Sequence, residues 1–333
     1  MSRDIRAPNL SELFAPAQGL NSAINNVFVT PNIPGQTVRQ LNEGNPALKV
    51  EKGLTTELGI VYQPSWLPGF QASVDYYRID LKGAITSLSP QTVVDLCFRG
   101  NTLYCQQDQI TTANGTNVST ANPGRIGDPN QITQVHSRVF NQASFLTDGF
   151  DFEMGYQRDL EDLDIPGAVN LRALVNHTSK FISNSGVPGT QVNTELAGFV
   201  GGGVNSQTYN QNGGNILTWK MDISQSYQTD QWGFNLEERW LAPGTLNPKN
   251  TLVCDPGTCP PPSIQTPTTN YNYVPGVFYF DVGVNWLWRP GTQLYAKVDN
   301  VANTMPPPTG GRPNNIVYDV IGRMYRIGVR FNE

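Results

Sequence analysis

The sequence predicts an all-β fold: an antiparallel transmembrane β-barrel wall of about nine to ten strands, with long loops at one end and short turns at the other. Three observations carry this expectation. Apolar and polar residues alternate along one segment after another, short and long connections alternate between those segments, and 32 Gly and 25 Pro accompany only 15% charged residues in a chain of 333. A period of two gives a strand two unlike faces, and Gly and Pro mark the turns between strands.

The first expected element is a short strand remnant at 1–6, followed by a long connection over 7–50. Full strands follow at 51–63, 69–83, 131–158, 167–182, 215–228, 231–243, 275–288, 291–301 and 318–331. Leu54, Leu58, Ile60 and Tyr62 share one face of the first full strand, opposite Glu57. Phe150, Phe152, Met154 and Tyr156 oppose Asp151 and Glu153; Val169, Leu171, Ala173 and Val175 oppose Arg172. Leu217, Trp219, Met221 and Ile223 oppose Thr218, Lys220, Asp222 and Ser224. Trp232, Phe234, Leu236 and Trp240 oppose Gly233, Asn235, Glu237 and Arg239, with Glu238 the one charge on the apolar side.

Phe278, Phe280, Val282, Val284, Trp286 and Trp288 form an unbroken apolar face against Asp281, Gly283 and Asn285. The last two strands repeat the pattern, with Leu294, Ala296 and Val298 against Lys297 and Asp299, then Tyr325, Ile327, Val329 and Phe331 against Arg326 and Arg330.

Alternation alone suits a soluble β-sandwich as well as a membrane barrel. Trp232 and Trp240 tip the balance, because they bracket one apolar stripe of roughly 26 Å at about 3.3 Å per residue, close to a barrel's apolar band between aromatic girdles. Full charges in mid-strand suit a wet lumen. The connections sort strictly: 64–68, 159–166, 229–231 and 289–291 are short, whereas 7–50, 84–130, 184–213, 244–274 and 302–317 are long. That sorting makes 131–158 one long strand, since two strands there would put later loops on the wrong side. An open sheet leaves two unpaired edges, which lipid does not tolerate, so the wall either closes as a small barrel or belongs to a larger one.

Composition excludes other classes. With 22 Lys+Arg against 27 Asp+Glu the net charge is −5, so nucleic acid is not an expected partner. No run approaches the ~18–20 apolar residues of a spanning helix. Met1-Ser2-Arg3-Asp4-Ile5-Arg6-Ala7-Pro8 lacks the apolar core of a signal peptide.

Several motifs, in order along the chain, resemble one family. They are Ser2-Arg3-Asp4-Ile5-Arg6-Ala7-Pro8-Asn9-Leu10-Ser11-Glu12-Leu13-Phe14, Asn45-Pro46-Ala47-Leu48-Lys49-Val50-Glu51, Pro68-Gly69-Phe70 leading into Val74-Asp75-Tyr76-Tyr77-Arg78-Ile79, and Asn141-Gln142-Ala143 before Gly149-Phe150-Asp151-Phe152. Val298-Asp299-Asn300-Val301-Ala302-Asn303 and Tyr318 through Phe331 complete the set. Together they resemble the C-terminal barrel portion of TonB-dependent outer-membrane receptors, which implies a partial barrel, about nine to ten strands of a larger one. The resemblance implies a Gram-negative outer-membrane location, contact with outer-membrane lipid, no enzymatic activity, and no catalytic residues, metal or cofactor. It also implies a plug domain, a signal peptide and a TonB-contacting segment outside residues 1–333, so the TonB complex would be reached only through the missing plug region. Asn332 and Glu333 follow Phe331, where the family tends to end on an aromatic residue.

Cys97 and Cys105 share one long loop, and Cys254 and Cys259 another. Two disulfides, Cys97–Cys105 and Cys254–Cys259, are expected in an oxidising exterior; zinc is disfavoured because no C-x-x-C spacing or neighbouring His is present. His136 and His177 read as lumen or surface residues rather than members of a triad, and Asp151 with Glu153 as solvated lumen carboxylates. The glycines of 198–203 lack a P-loop ending and read as a flexible loop. The glycosylation-like Asn114-Gly115-Thr116 and Asn176-His177-Thr178 are frequent by chance in an Asn-rich chain.

The family resemblance implies uptake of a bulky nutrient, a siderophore, cobalamin or oligosaccharide, through the five long segments 7–50, 84–130, 184–213, 244–274 and 302–317. Those segments hold only about half a dozen Lys or Arg, among them Arg99, Arg125, Lys249 and Arg312, where an anionic iron chelate favours a basic vestibule. A neutral glycan is the expected ligand. The rival expectations are a small self-contained barrel acting as a pore or hydrolase, and a soluble β-sandwich binding module.

Overall fold

The computed structural model describes residues 1–29, 33–184, 186, 193–200, 216–247, 249, 251–261, 268–309, 312–313 and 317–331. One curved antiparallel wall dominates it. In chain order its strands are β1 (Ser2–Arg6), β2 (Glu51–Tyr62), β3 (Phe70–Ser87), β4 (Ile132–Asp159), β5 (Ala168–Asn184), β6 (Trp219–Gln228), β7 (Trp232–Leu241), β8 (Val277–Arg289), β9 (Thr292–Asp299) and β10 (Met324–Phe331). Each is hydrogen-bonded to its neighbours in this order, and among the described residues β1 and β10 are not paired with each other. The barrel is therefore not closed.

The up-and-down order follows from the connections. Short turns join β2 to β3, β4 to β5, β6 to β7 and β8 to β9, and all of them lie at one end. Gly69 (φ +83°) and Gly167 (φ +97°) shape two of these turns; a Cβ on either would fall about 2 Å from a backbone carbonyl oxygen of the adjacent turn region, that of Gln157 or Gln228. Only Gly fits there without shifting backbone. β4 is one strand of 28 residues, so the parity deduced from loop lengths holds. The short strand expected at 1–6 is present, and one expectation changes. That strand lies at the edge of the wall, with Ser2 to Arg6 opposite Thr55 to Glu51. The last strand starts at Met324 rather than at 318, because the Asp319 carboxylate accepts hydrogen bonds from the Ile321 and Gly322 amides and turns the chain first.

Cross-strand register carries the two-faced pattern around the wall. Val74, Phe152, Val175 and Met221 lie in one row on the outer face, and Asp75, Asp151, Asn176 and Lys220 in one row on the inner face. The outer face is bare: Leu58 is 71% and Ile327 86% exposed. An apolar surface this continuous is unstable in water and at home in lipid. No helix among the described residues is long and apolar enough to cross a membrane, which leaves crossing by strands open.

Buried core lies instead in the long connections, which stack on the wall as a crown. Between β1 and β2 are α1 (Leu10–Phe14) and a hairpin of Gln18–Asn26 with Ile33–Glu43. The second hairpin strand runs parallel to the top of β4, Arg39 opposite Gln134 through Glu43 opposite Arg138. Between β3 and β4 is α2 (Pro90–Phe98), started by the Ser89 cap and by Pro90, whose fixed φ suits a first helical turn. Ile24, Val38, Val94, Leu96, Cys97 and Ile132 are central to the core these pieces share. A second, smaller core joins Val200, Leu217, Val274, Val277, Tyr279 and Tyr318.

Candidate functional site

The candidate site is the crown together with the inner face beneath it. Aromatic side chains mark where the wall's apolar band ends. At the crown end Tyr76 meets Phe150 at 5.3 Å between ring centroids, His177 stacks on Trp219 at 4.0 Å, and Trp240 stacks on Phe278 at 6.0 Å. At the turn end Tyr227, Phe234, Trp232 and Trp286 stack in series. Such belts suit a membrane's two interfaces, where a ring can be half apolar and half wet. His177 is thus an outer-belt residue, its Nδ1 3.0 Å from the Thr218 carbonyl oxygen.

On the inner face, charges are paired. Lys297 Nζ reaches Asp299 at 3.1 Å, Glu237 at 3.5 Å and Asp281 at 3.9 Å, while Arg239 lies 3.8 Å from Asp281. Arg326 Nε donates to Asp299 at 2.8 Å. Further round, Arg172 pairs with Glu153 at 2.9 Å and Asn176 donates to Asp151 at 2.7 Å. Asp151 and Glu153 are each engaged with a neighbour on β5, not arranged as an acid/base pair. Mixed charges of this kind line a hydrated lumen and hold the strands in register.

The motif residues that carry the family resemblance act as clamps between crown and wall. Arg6 joins Glu12 at 3.0 Å and is also paired with Glu51, which accepts a hydrogen bond from the Ile85 amide at 2.7 Å. Asn9 and Glu12 close a capping box on α1. The Arg6 hydrogen bond holds the Glu12 carboxyl below the ordinary carboxylate range despite partial burial. Asn141 Nδ2 donates to the Lys49 and Gly83 carbonyls, and its Oδ1 accepts from the Lys49 amide. Asn300 is fully buried; its amide group binds Thr304 in both directions and donates to Asp319 at 2.9 Å.

The crown itself is stapled. Cys97 is bonded to Cys105 inside the larger core, and Cys254 to Cys259 on the loop between β7 and β8. Buried Asn26 and Gln36 hydrogen-bond each other and the Pro123 and Gly124 carbonyls, so hairpin and loop are one unit. His136 and Arg138 converge on Glu43, with His136 Nδ1 at 2.9 Å, and Arg138 reaches Asp108 at 3.2 Å. Burial pushes the Glu43 carboxyl up, but the hydrogen bonds from His136 and Arg138 outweigh it and hold it below its ordinary value. Burial and the nearby Tyr279 push the Tyr318 hydroxyl up to about 12. Neither this cluster nor Tyr318 is visible as a site in the sequence, because their partners come from segments tens of residues apart.

Among the exposed crown residues are Arg99, Arg125 and Lys249, on separate stretches of the loops, and the rings of Tyr271 and Tyr273. Arg312 lies in a two-residue strand paired with Pro308–Thr309. Asn114 is exposed, and its side-chain oxygen accepts from Thr116 Oγ1 at 2.7 Å; Asn176 lies within β5. Gly198 to Val200 pack into the smaller crown, with the Gly198 amide donating to Ile216, whereas 201–203 lie outside the described residues. No group of His, Cys, Asp and Glu among the described residues is arranged to hold a metal ion.

A wall with a bare apolar outer face, a paired-charge inner face and a folded crown at one end defines a membrane β-barrel of the receptor kind. The chain belongs to the family "TonB dependent receptor-like, beta-barrel", which it matches over residues 2–301. Solved structures agree on the fold. The siderophore receptor PirA from Acinetobacter baumannii superposes with a TM-score of 0.55 at 15% identity, over 99% of this chain and 38% of that one. A mutant of the ferric enterobactin receptor PfeA from Pseudomonas aeruginosa, solved in complex with enterobactin, gives 0.59 at 16% identity, over 99% of this chain and 37% of that one. The chain thus spans under two fifths of the length of these receptors. A search of curated proteins found no match. Family and fold neighbours are receptors that transport, not enzymes.

Proposed function

We propose that the chain is the C-terminal part, 1–333, of an outer-membrane receptor that takes up a bulky, uncharged polar nutrient of the glycan class. Uptake draws on TonB through a plug domain outside these residues, and the fragment alone is not transport-competent. The observation that carries the substrate class is the crown's charge. Its cations are few and sit on separate segments, while exposed Tyr271 and Tyr273 offer flat rings with hydroxyl edges. An anionic chelate calls for convergent Lys and Arg, since a cleft of one sign concentrates its field on the ligand. A neutral glycan needs amides, hydroxyls and ring faces instead.

A second reading, uptake of an iron chelate, is favoured by the structural neighbours, whose names give them siderophore ligands. Growth separates the two. A strain whose uptake depends on the complete receptor is expected to grow on oligosaccharides as the limiting nutrient; growth rescued only by iron chelates sinks the glycan reading and supports the siderophore one. Incompleteness is tested by refolding residues 1–333 into detergent. No heat-modifiable band is expected, and a band that shifts on heating marks a self-contained barrel.

A further inference from the structure

The chain is acidic overall, yet one part of its outer face is basic. In the register of β3, β4 and β5, Arg78 stands beside Asp148 and Asp148 beside Lys180, one row beyond the belt residues Tyr76, Phe150 and His177 toward the crown. Arg3, opposite Leu54, lies one row further on, and Lys52 beside Lys82 one row beyond that. All five cations are exposed and share the face that carries Leu58, Ile60 and Val74, the face that meets lipid. Only two carboxylates lie among them. Asp148 is buried and 3.9 Å from Arg78, and Asp80 is 3.5 Å from Lys82. Among the described residues no ion pair engages Arg3, Lys52 or Lys180, although each hydrogen-bonds through its backbone in the wall.

Height and direction give the patch its meaning. Two to six residues beyond an aromatic belt, at about 3.3 Å each along a tilted strand, is headgroup depth in the leaflet on the crown side. The other half of the wall differs: two residues beyond Trp240 and Phe278 come Ala242 and Gly276. A set of exposed cations at one height on one flank is an electrostatic surface for phosphate, and Arg gives phosphate paired hydrogen bonds.

We propose that Arg3, Lys52, Arg78, Lys82 and Lys180 form a binding site for the phosphate groups of an anionic glycolipid in the outer leaflet. The site is separate from nutrient uptake and fixes this flank of the wall in the membrane. Its occupant is a lipid because the cations continue the lipid-facing surface and face away from the lumen.

The test uses the complete receptor purified from outer membranes and stripped of lipid. It is reconstituted in phosphatidylcholine vesicles doped with bisphosphorylated lipid A or with its dephosphorylated form, and retained lipid A is measured by native mass spectrometry. The phosphorylated form is expected to be retained preferentially, and less so as salt rises. Replacing Arg78, Lys82 and Lys180 by Gln together is expected to weaken retention about a hundredfold, at roughly fivefold per cation near a charged surface. Arg158→Gln, at the turn end of β4, is expected to leave retention unchanged. Equal retention of the dephosphorylated lipid, or undiminished retention by the triple variant, overturns the proposal. Should the triple variant fail to fold, the wild-type protein decides, and retention independent of both phosphate and salt refutes the site.

Discussion

The two halves of the wall spend their charges differently. In β1 to β5 a group of cations faces outward above the aromatic belt, under a large crown with its own core. In β6 to β10 a group of charges faces inward and is ion-paired, Lys297 with three carboxylates and Arg326 with one of them, while Glu238 lies on the outward side, under a smaller crown. An inward charge in a wet lumen can pair with a neighbour at little desolvation penalty, so it serves register. Of the outward cations, Arg78 and Lys82 each meet one carboxylate, and among the described residues Arg3, Lys52 and Lys180 are in no ion pair. The same residue types thus take different tasks according to which face the period of two assigns them.

If the second crown depends on single buried clamps while the first depends on a distributed core, one substitution should undo the second locally. Asn300→Ala removes three side-chain hydrogen bonds at a fully buried position and takes their partner from the Thr304 amide and from Asp319 Oδ2. The expected loss is about 3 kcal/mol, near a hundredfold in local opening. Hydrogen exchange followed by mass spectrometry in detergent should show faster exchange in 300–323 and no change in β4. Equal exchange in mutant and wild type breaks the comparison.

The disulfides sharpen it. By loop-closure entropy alone Cys97–Cys105 and Cys254–Cys259 are nearly equal, roughly 2.5 and 2 kcal/mol. Cys97 is buried among Leu96, Val94 and Tyr104, however, whereas Cys254–Cys259 sits on a loop whose neighbours Leu252 and Val253 are exposed. Changing Cys97 and Cys105 to Ser therefore also places a hydroxyl in an apolar core. Limited proteolysis of the folded receptor should cut 84–130 much faster in that double variant, and 244–274 only modestly faster in the other. Equal sensitivity would mean that the first crown gains nothing from its core beyond the covalent link.

How much of this was legible in the sequence depends on the range of the interaction. Nine of the ten strands could be read to within about four residues at their ends and the last to within six, because alternation is a local signal that most wall residues obey. Loop lengths fixed the parity, including the undivided β4. The hairpin Gln18–Asn26 with Ile33–Glu43 and helix α2 were missed. These fold against β4 and against each other, so their pattern is set by tertiary contacts and not by one period. Motif residues such as Asn300 and Glu51 stood out in the sequence, but their role as clamps required partners 19 and 45 residues away. Within the crown, Glu43 and His136 are 93 residues apart and nothing local links them.

The smallest expected effect is a contrast of sign within the first crown. Glu43 is held below its ordinary value in the folded state, so its contribution is complete at neutral pH, where the carboxyl is ionised in both states. That contribution is lost as pH falls below about 4.3, the ordinary Glu value, through the lower folded value. Asp95 on α2 behaves oppositely. Burial raises its carboxyl above the ordinary value, against hydrogen bonding from Gln91 and attraction to Arg99, so the folded state takes up a proton first and α2 gains stability as pH falls through that raised value. Mild acid should therefore tighten α2 before stronger acid frees the hairpin from β4. Glu43→Gln should speed exchange in 33–43 at neutral pH, and Asp95→Asn should slow it in 90–98, each by an amount worth about 1 kcal/mol. If acid loosens both segments in parallel, the crown opens as one unit, and the distinction between its hairpin and helix fails.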